Sequence, residues 1–256
     1  MEYQQIFERV EAKYILTDDQ YDSLMKTIGE RLTPDVYPHS DIRSIYFDSE
    51  DFRMIRNSLD KPAYKEKLRL RCYGEVSDDS PVFMEIKKKY RGICYKRRQD
   101  MTYRQALNYT VFDRKPLDSQ IMNEIDYLRT GGKLQPKVLV CYQRDSFVSA
   151  EQPDLRITFD RDVRFSLSNI VLTNQKPEGA VLDEGKRIME VKTLTAMPLW
   201  LTNVLDSLNI YPSSFSKYGA IYEKHLMKGV SRKCSKYYSH QSSPVHLPLR
   251  TTCSAR

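Results

Sequence analysis

Along much of the chain, apolar and polar residues alternate with the two-residue period of a strand that buries one face. From Lys65 to Tyr73 this period puts Lys65, Lys67, Arg69 and Arg71 on one side, against Glu66, Leu68, Leu70 and Cys72 on the other. The next run repeats the theme, with Glu85 and Lys87 opposite Met84 and Ile86. Lys96 and Arg98 share a face in a third run, and Arg156, Thr158 and Asp160 oppose Leu155, Ile157 and Phe159. Glu190 and Lys192 oppose Met189 and Val191. Strands are predicted at about 3–15, 44–48, 62–73, 82–89, 93–101, 137–148, 154–165 and 187–193.

The helical period appears between these runs. Thr17 is placed to cap a helix with Asp18, Asp19 and Gln20 in its first turn and Tyr21, Leu24, Met25 and Ile28 on one face; Pro34 and Pro38 are expected to end it. A helical turn is predicted within 49–59, and a helix over 117–129 that Gly131 and Gly132 stop. Two more helices are expected over 198–208 and 215–227. With no internal repeat and no linker, residues 1–228 read as one folded domain. Residues 229–256, rich in Ser, Lys and His and without periodicity, read as a basic, disordered tail.

Composition narrows the chemistry. The 256 residues include only 9 glycines and neither a G-x-x-x-x-G-K-[ST] nor a G-x-G-x-x-G motif, which argues against a P-loop or a Rossmann cofactor site. No run of 18 apolar residues occurs and the N-terminus is polar, so neither a membrane span nor a secretory signal is expected and the location is expected to be cytoplasmic. The five cysteines are widely spaced, as reduced thiols are, with no zinc pattern. Net charge is +7, but six Lys/Arg and no Asp or Glu lie from Lys228 onward, leaving 35 basic against 34 acidic residues before them. A nearly neutral body whose cations alternate onto one face does not suit a nucleic-acid partner. His39, His225, His240 and His246 show no catalytic arrangement, Trp200 reads as packing, and Tyr46, Tyr73 and Tyr142 read as structural strand residues.

The placement of the charges matters more than their number. A solvated outer face intersperses signs, whereas here four cations stand in register on one strand. Glu-x-Lys also recurs at Glu11–Lys13, Glu85–Lys87 and Glu190–Lys192. Two barrels carry charge inside and apolar residues outside. Interleaved helices and the lack of a signal exclude the outer-membrane type. The other is a soluble α+β barrel, clad in helices, with a polar lumen. Many cations and a few carboxylates in such a lumen suit a polyanion with a divalent metal, the cations meeting phosphate oxygens and the carboxylates a hard cation.

The ordered set of motifs supports this reading. E-x-K at the N-terminus, R-S-I-Y-F-D (43–48), Y-K-E-K-L-R-L-R-C-Y-G (64–74), F-M-E-I-K-K-K (83–89) and Y-K-R-R (95–98) come first. Y-Q-R-x-S-F (142–147), L-R-I-T-F-D (155–160), M-E-V-K (189–192) and F-S-K-Y (215–218) follow. Together they resemble the VTC-type polyphosphate polymerase domain of the CYTH, or triphosphate tunnel metalloenzyme, superfamily, over roughly residues 5–225. The resemblance implies a closed eight-stranded antiparallel tunnel barrel with flanking helices.

It also implies a reaction: transfer of the γ-phosphate of ATP to a growing polyphosphate chain, with Mn or Mg. By resemblance Arg69, Arg71, Lys87, Arg144, Arg156 and Lys192 carry the transfer and Lys13, Lys96 and Lys217 hold the anion, joined by Lys67 and Arg98, which share the charged strand faces. Glu190 matches the family's metal-binding glutamate, with Glu11 and Glu85 as further candidates. Ser214 stands where the yeast-type member has a second lysine, which puts one phosphate contact in question. A metal-dependent triphosphatase and a non-enzymatic polyphosphate- or inositol-phosphate-binding module remain as alternatives. The expected partners are ATP, polyphosphate or other triphosphates.

Overall fold

The computed structural model describes residues 6, 7, 10–91, 93–194 and 196–227; the basic tail at 229–256 lies outside them. Ten strands form one antiparallel sheet. They are β1 (Ile6–Phe7), β2 (Val10–Thr17), β3 (Leu32–Asp48), β4 (Tyr64–Tyr73) and β5 (Pro81–Tyr90). β6 (Ile93–Thr102), β7 (Gln135–Ser149), β8 (Arg156–Ser166), β9 (Gly179–Ala180) and β10 (Lys186–Thr193) complete it. The order is β1-β6-β5-β4-β3-β7-β8-β10-β2, with β9 beside β8.

The expected alternation holds, and the apolar face is turned outward under helices. Leu68, Leu70, Met84 and Ile86 pack with Tyr103, Ala106 and Tyr109 of α3 (Tyr103–Phe112) and with Met122 and Ile125 of α4 (Gln120–Gly131). Tyr14, Leu16, Ile157, Phe159, Met189 and Val191 pack with Leu24 and Ile28 of α1 (Asp18–Ile28) and Leu201 and Leu205 of α5 (Leu199–Ser207). Each Leu, Ile, Val, Met or Phe among them stabilises the fold by about 1.5–3 kcal/mol when buried. A one-residue slip would exchange the faces, so this apolar set also fixes which charges turn inward. The capping expectation for α1 holds as well: Thr17 and Gln20 form a reciprocal capping box.

Closure differs from expectation. Among the described residues no ladder joins the two ends of the sheet, so the closed eight-stranded barrel is corrected to a curled, open sheet of ten strands. The reason lies in the N-terminal run of chain, whose first part pairs with β6 and whose second part pairs with β10. Three Cα steps separate Phe7 from Val10, so at about 3.8 Å each the two edges lie within about 11 Å of one another there. The chain itself, rather than a ladder, ties the edges together.

Other elements also depart from expectation. Pro34 and Pro38 do not end α1, which stops at Ile28; both lie in the 17-residue β3, of which 44–48 is only the end. β4 pairs β3 only from Ile42 onward, and the β3–β7 ladder is interrupted between Pro34 and His39, so the missing N–H groups cost little there. Helix α3 was not expected. A one-residue bulge on β8, with Asp162 at φ 46°, re-phases the strand so that Asp160 and then Val163 and Phe165 face the same side. The last helix is short: α6 (Lys217–Ile221) passes into a π-helical turn, Tyr222–Leu226.

The interior is not charged throughout. Ile42 and Tyr46 of β3, Val138, Val140 and Tyr142 of β7, and Ile188 of β10 form a buried cluster with Ile55 of α2 (Arg53–Leu59) and Tyr218, Ile221 and Tyr222 of the C-terminal helical segment. That segment is seated inside the curl and leaves the remainder to the cations. Asp48 anchors it, accepting from the amides of Ser49, Met54 and Ile55 and from the Tyr218 hydroxyl at 3.0 Å.

Candidate functional site

The inward faces of β2, β4–β8 and β10, together with the start of α6, bring ten cations against four carboxylates: Lys13, Lys67, Arg69, Arg71, Lys87, Lys96, Arg98, Arg144, Lys192 and Lys217 against Glu11, Glu85, Asp160 and Glu190. Contacts cross the interior. Lys87 of β5 meets Glu11 of β2 at 3.1 Å, and Lys67 of β4 donates to Ser216 Oγ, the N-cap of α6, at 3.0 Å. Lys13 reaches the Phe215 carbonyl at 3.5 Å.

Two carboxylates organise most of the cations. Glu85, fully buried, receives Arg69 at 2.7 Å, Arg98 at 2.6 Å and Lys96 at 2.8 Å. Burial pushes its carboxyl up, but Arg69, Arg71, Lys96 and Arg98 outweigh this and hold it far below the usual range. Arg98 also lies over the Phe83 ring, 4.4 Å from its centre. Asp160 grips Arg144 with both oxygens, at 2.6 and 2.8 Å, and takes Lys217 at 2.5 Å. Burial again opposes ionisation, and Lys217 and Arg144 again overcome it.

Glu190 is held loosely. Lys192 stands at 3.6 Å and Arg144 at 3.8 Å from its oxygens. Burial raises its pKa, yet Lys192, Lys13, Arg144 and Lys87 keep it well below the ordinary value and ionised. Burial lowers the pKa values of Lys13 and Lys192. Lys67 is pushed down to about 8, first by burial and then by Lys13, Lys65 and Lys87. Lys87 moves upward, because Glu11 and Glu190 outweigh its burial.

The structure thus gathers all but one of the sequence-derived site residues. Arg156 shares the inward face and pairs in register with Lys192, but its guanidinium is bound at 2.6 Å by Asp35 of β3 and its side chain is 41% exposed. Sequence reasoning gave no role to Asp160, although its parity with Arg156 was legible. Tyr46 and Tyr142, read as purely structural, touch the cations instead. Arg71 donates to the Tyr142 hydroxyl at 3.0 Å and Arg69 to the Tyr46 hydroxyl at 3.5 Å. Lys217 stands over the Tyr142 ring at 4.3 Å.

An interior of this sign, with carboxylates interspersed, is built for an anion of several charges. The sequence matches the family model of the VTC domain over residues 8–239. The chain belongs to that family. Among solved structures, this VTC domain is similar to a candidate adenylate cyclase from Bacillus halodurans, at TM-score 0.50 and 14% identity over 83% of this chain and 96% of that one. A second candidate adenylate cyclase, from Vibrio parahaemolyticus, aligns at TM-score 0.47 and 12% identity over 85% of this chain and 99% of its own. The likeness to the first shows the fold alone. Among curated proteins there is no significant sequence match. Among the described residues no helix is long and apolar enough to cross a membrane.

The metal implied by the family can be tested against the donors present. Among the described residues no group of three or more His, Cys, Asp or Glu could hold an ion, so Glu11, Glu85 and Glu190 do not form a joint site. Glu85 is saturated by three cations, and Glu11 is engaged by Lys87. Glu190 alone keeps its cations beyond hydrogen-bonding distance. One carboxylate fits a Mg or Mn ion that takes its other ligands from substrate phosphates and water. The donors do not fit an ion held by protein alone.

Proposed function

We propose that this VTC domain is a polyphosphate polymerase, an ATP–polyphosphate phosphotransferase working in the cation-lined interior. The observation that carries the reading is the excess of cations there, ten against four carboxylates, on strands whose apolar sides are committed to the helices. Phosphoryl transfer calls for positioning and charge neutralisation more than for a protein nucleophile. Arg69, Arg71 and Arg144 clamp non-bridging oxygens with planar forks, while Lys13, Lys67, Lys87, Lys96, Lys192 and Lys217 supply point charges along the chain. Arg98 serves through Glu85, and Arg156 serves at the margin once the anion competes with Asp35. A divalent ion, Mn or Mg, would be held by Glu190 and would supply charge neutralisation at the phosphate oxygens, easing departure of ADP.

One observation favours a second reading. The C-terminal helical segment occupies interior space through which a lengthening chain would thread. This suits hydrolysis of a short triphosphate by the same residues. The purified protein, incubated with ATP and Mn, separates the two on a gel. Polyphosphate ladders are expected; free phosphate alone replaces polymerase with triphosphatase, and no turnover of ATP or triphosphate overturns both.

A further inference from the structure

Tyr46 lies in β3, buried, with its ring stacked on Tyr218 at 5.2 Å. Its hydroxyl accepts from Arg69 at 3.5 Å and has no acceptor for its own proton among the described residues. The groups facing it are overwhelmingly positive. β4 contributes Lys67, Arg69 and Arg71, and α6 contributes Lys217. From β7 the neighbour in register is the apolar Val138, and from α2 the packed residue is Ile55. Three carboxylates stand behind these groups and none accepts from Tyr46. Glu85 is bound to Arg69, Lys96 and Arg98, Asp48 to backbone amides and the Tyr218 hydroxyl, and Asp160 to Arg144 and Lys217, which leaves Lys67 and Arg71 without a carboxylate partner in an ion pair among the described residues. A phenol in such a cage has two ways to become satisfied. It can lose its proton and act as a counter-anion to the cations, or keep the proton and offer it to an incoming anion.

We propose that Tyr46 does both in turn: before the anion arrives it has released its proton to solvent and balances the cations as phenolate, and when a triphosphate takes over those cations it regains a proton from solvent, keeps it, and donates a hydrogen bond to a phosphate oxygen. This rests on the reading that the interior binds a triphosphate. Burial by itself raises the pKa of the phenol, but Arg69, Arg71, Lys67 and Lys217 outweigh it and bring it to about 7. An anion that neutralises those four groups removes the cause of the shift, so binding of triphosphate and of the proton are linked. Tyr46 is thereby a binding residue whose charge changes sign of effect, repelling the ligand as phenolate and holding it as phenol.

The test uses inorganic triphosphate as the probe, without metal, and the tyrosinate difference absorbance as the readout. At about pH 8.5, below the ordinary tyrosine range, the wild-type protein should show one tyrosinate that Tyr46→Phe lacks, and saturating triphosphate should abolish it. Calorimetry on the same samples should show Tyr46→Phe weakening triphosphate binding about tenfold near pH 6, the scale of one hydrogen bond to a charged acceptor, and by less as pH rises. Triphosphate binding with no tyrosinate change, or the same tyrosinate in Tyr46→Phe, overturns the proposal and leaves the binding site standing. No measurable binding to the wild type overturns the site itself, and the proposal with it.

Discussion

The two halves of the interior handle a buried carboxylate in different ways. On the β4–β6 side, Glu85 is fully buried with Arg69, Lys96 and Arg98 at 2.6–2.8 Å. On the β2–β10 side, Glu190 has Lys192 and Arg144 only at 3.6 and 3.8 Å. The first arrangement is a finished network, in which removing the centre leaves the largely buried Arg69, and the partly exposed Lys96 and Arg98, without their counter-charge. The second is an unfinished one, a carboxylate kept ionised by cations that do not consume its lone pairs. The same Glu-x-Lys pattern therefore yields a framework residue in one strand and an available ligand in another. What separates them is the neighbouring strand: Glu85 pairs in register with Arg69 and Arg98, Glu190 with Thr158 and Lys13.

Breaking each side should produce opposite phenotypes. The largest effect is expected from Glu85→Gln, which should lower unfolding free energy by about 3–5 kcal/mol in denaturant titrations. Glu190→Gln should change stability little and bind triphosphate without metal at least as tightly. Its metal-dependent turnover should fall by at least about 100-fold, or roughly 2.7 kcal/mol of barrier. Equal loss of stability in the two variants would erase the distinction. Next in size, Arg71→Ala should weaken triphosphate binding by about 1.5–3 kcal/mol by calorimetry, with only partial rescue by Lys because the fork is lost.

The smallest effect is in pH dependence. Lys67 and Tyr46 both have pKa values below those of an unfolded chain, at about 8 and about 7. The unfolded chain therefore binds more protons across the interval from these values up to the ordinary ones, and stability without ligand rises with pH there. Triphosphate affinity moves the other way, because Lys67 loses its charge as pH passes about 8. Lys67→Arg should flatten that part of the affinity profile; an unchanged profile would place its origin elsewhere.

The inward strands were legible because Leu68, Leu70, Met84, Ile86, Ile157 and Val191 leave their charged neighbours no other direction to point. The architecture around them was less so. Pro34 and Pro38 look like helix terminators, and only the absence of β4 beside that part of β3 lets a strand carry them. Tyr103–Phe112 begins with a capping box, Thr102 with Gln105, but its aromatic and β-branched residues blur a helical pattern. The seat of the C-terminal helical segment inside the sheet could not be read from its own period, which marks an apolar face without naming what covers it. Asp160, Tyr46 and Tyr142 escaped for a related reason: their partners stand on other elements, β4, β7 and α6, and no spacing within the residues' own strands marks the pairing. Closure escaped too, since a strand that divides itself between two partners has the same alternation as one that does not.

On the proposed function Glu190, and neither Glu85 nor Glu11, is the carboxylate left open for a metal. Crystals soaked with inorganic triphosphate and Mn test it through the anomalous signal of the ion. One peak is expected at bonding distance, about 2.0–2.2 Å, from a Glu190 oxygen and from phosphate oxygens. A peak beside Glu85 or Glu11, or an ion bound to triphosphate with Glu190 left paired to Lys192 and Arg144, would contradict it.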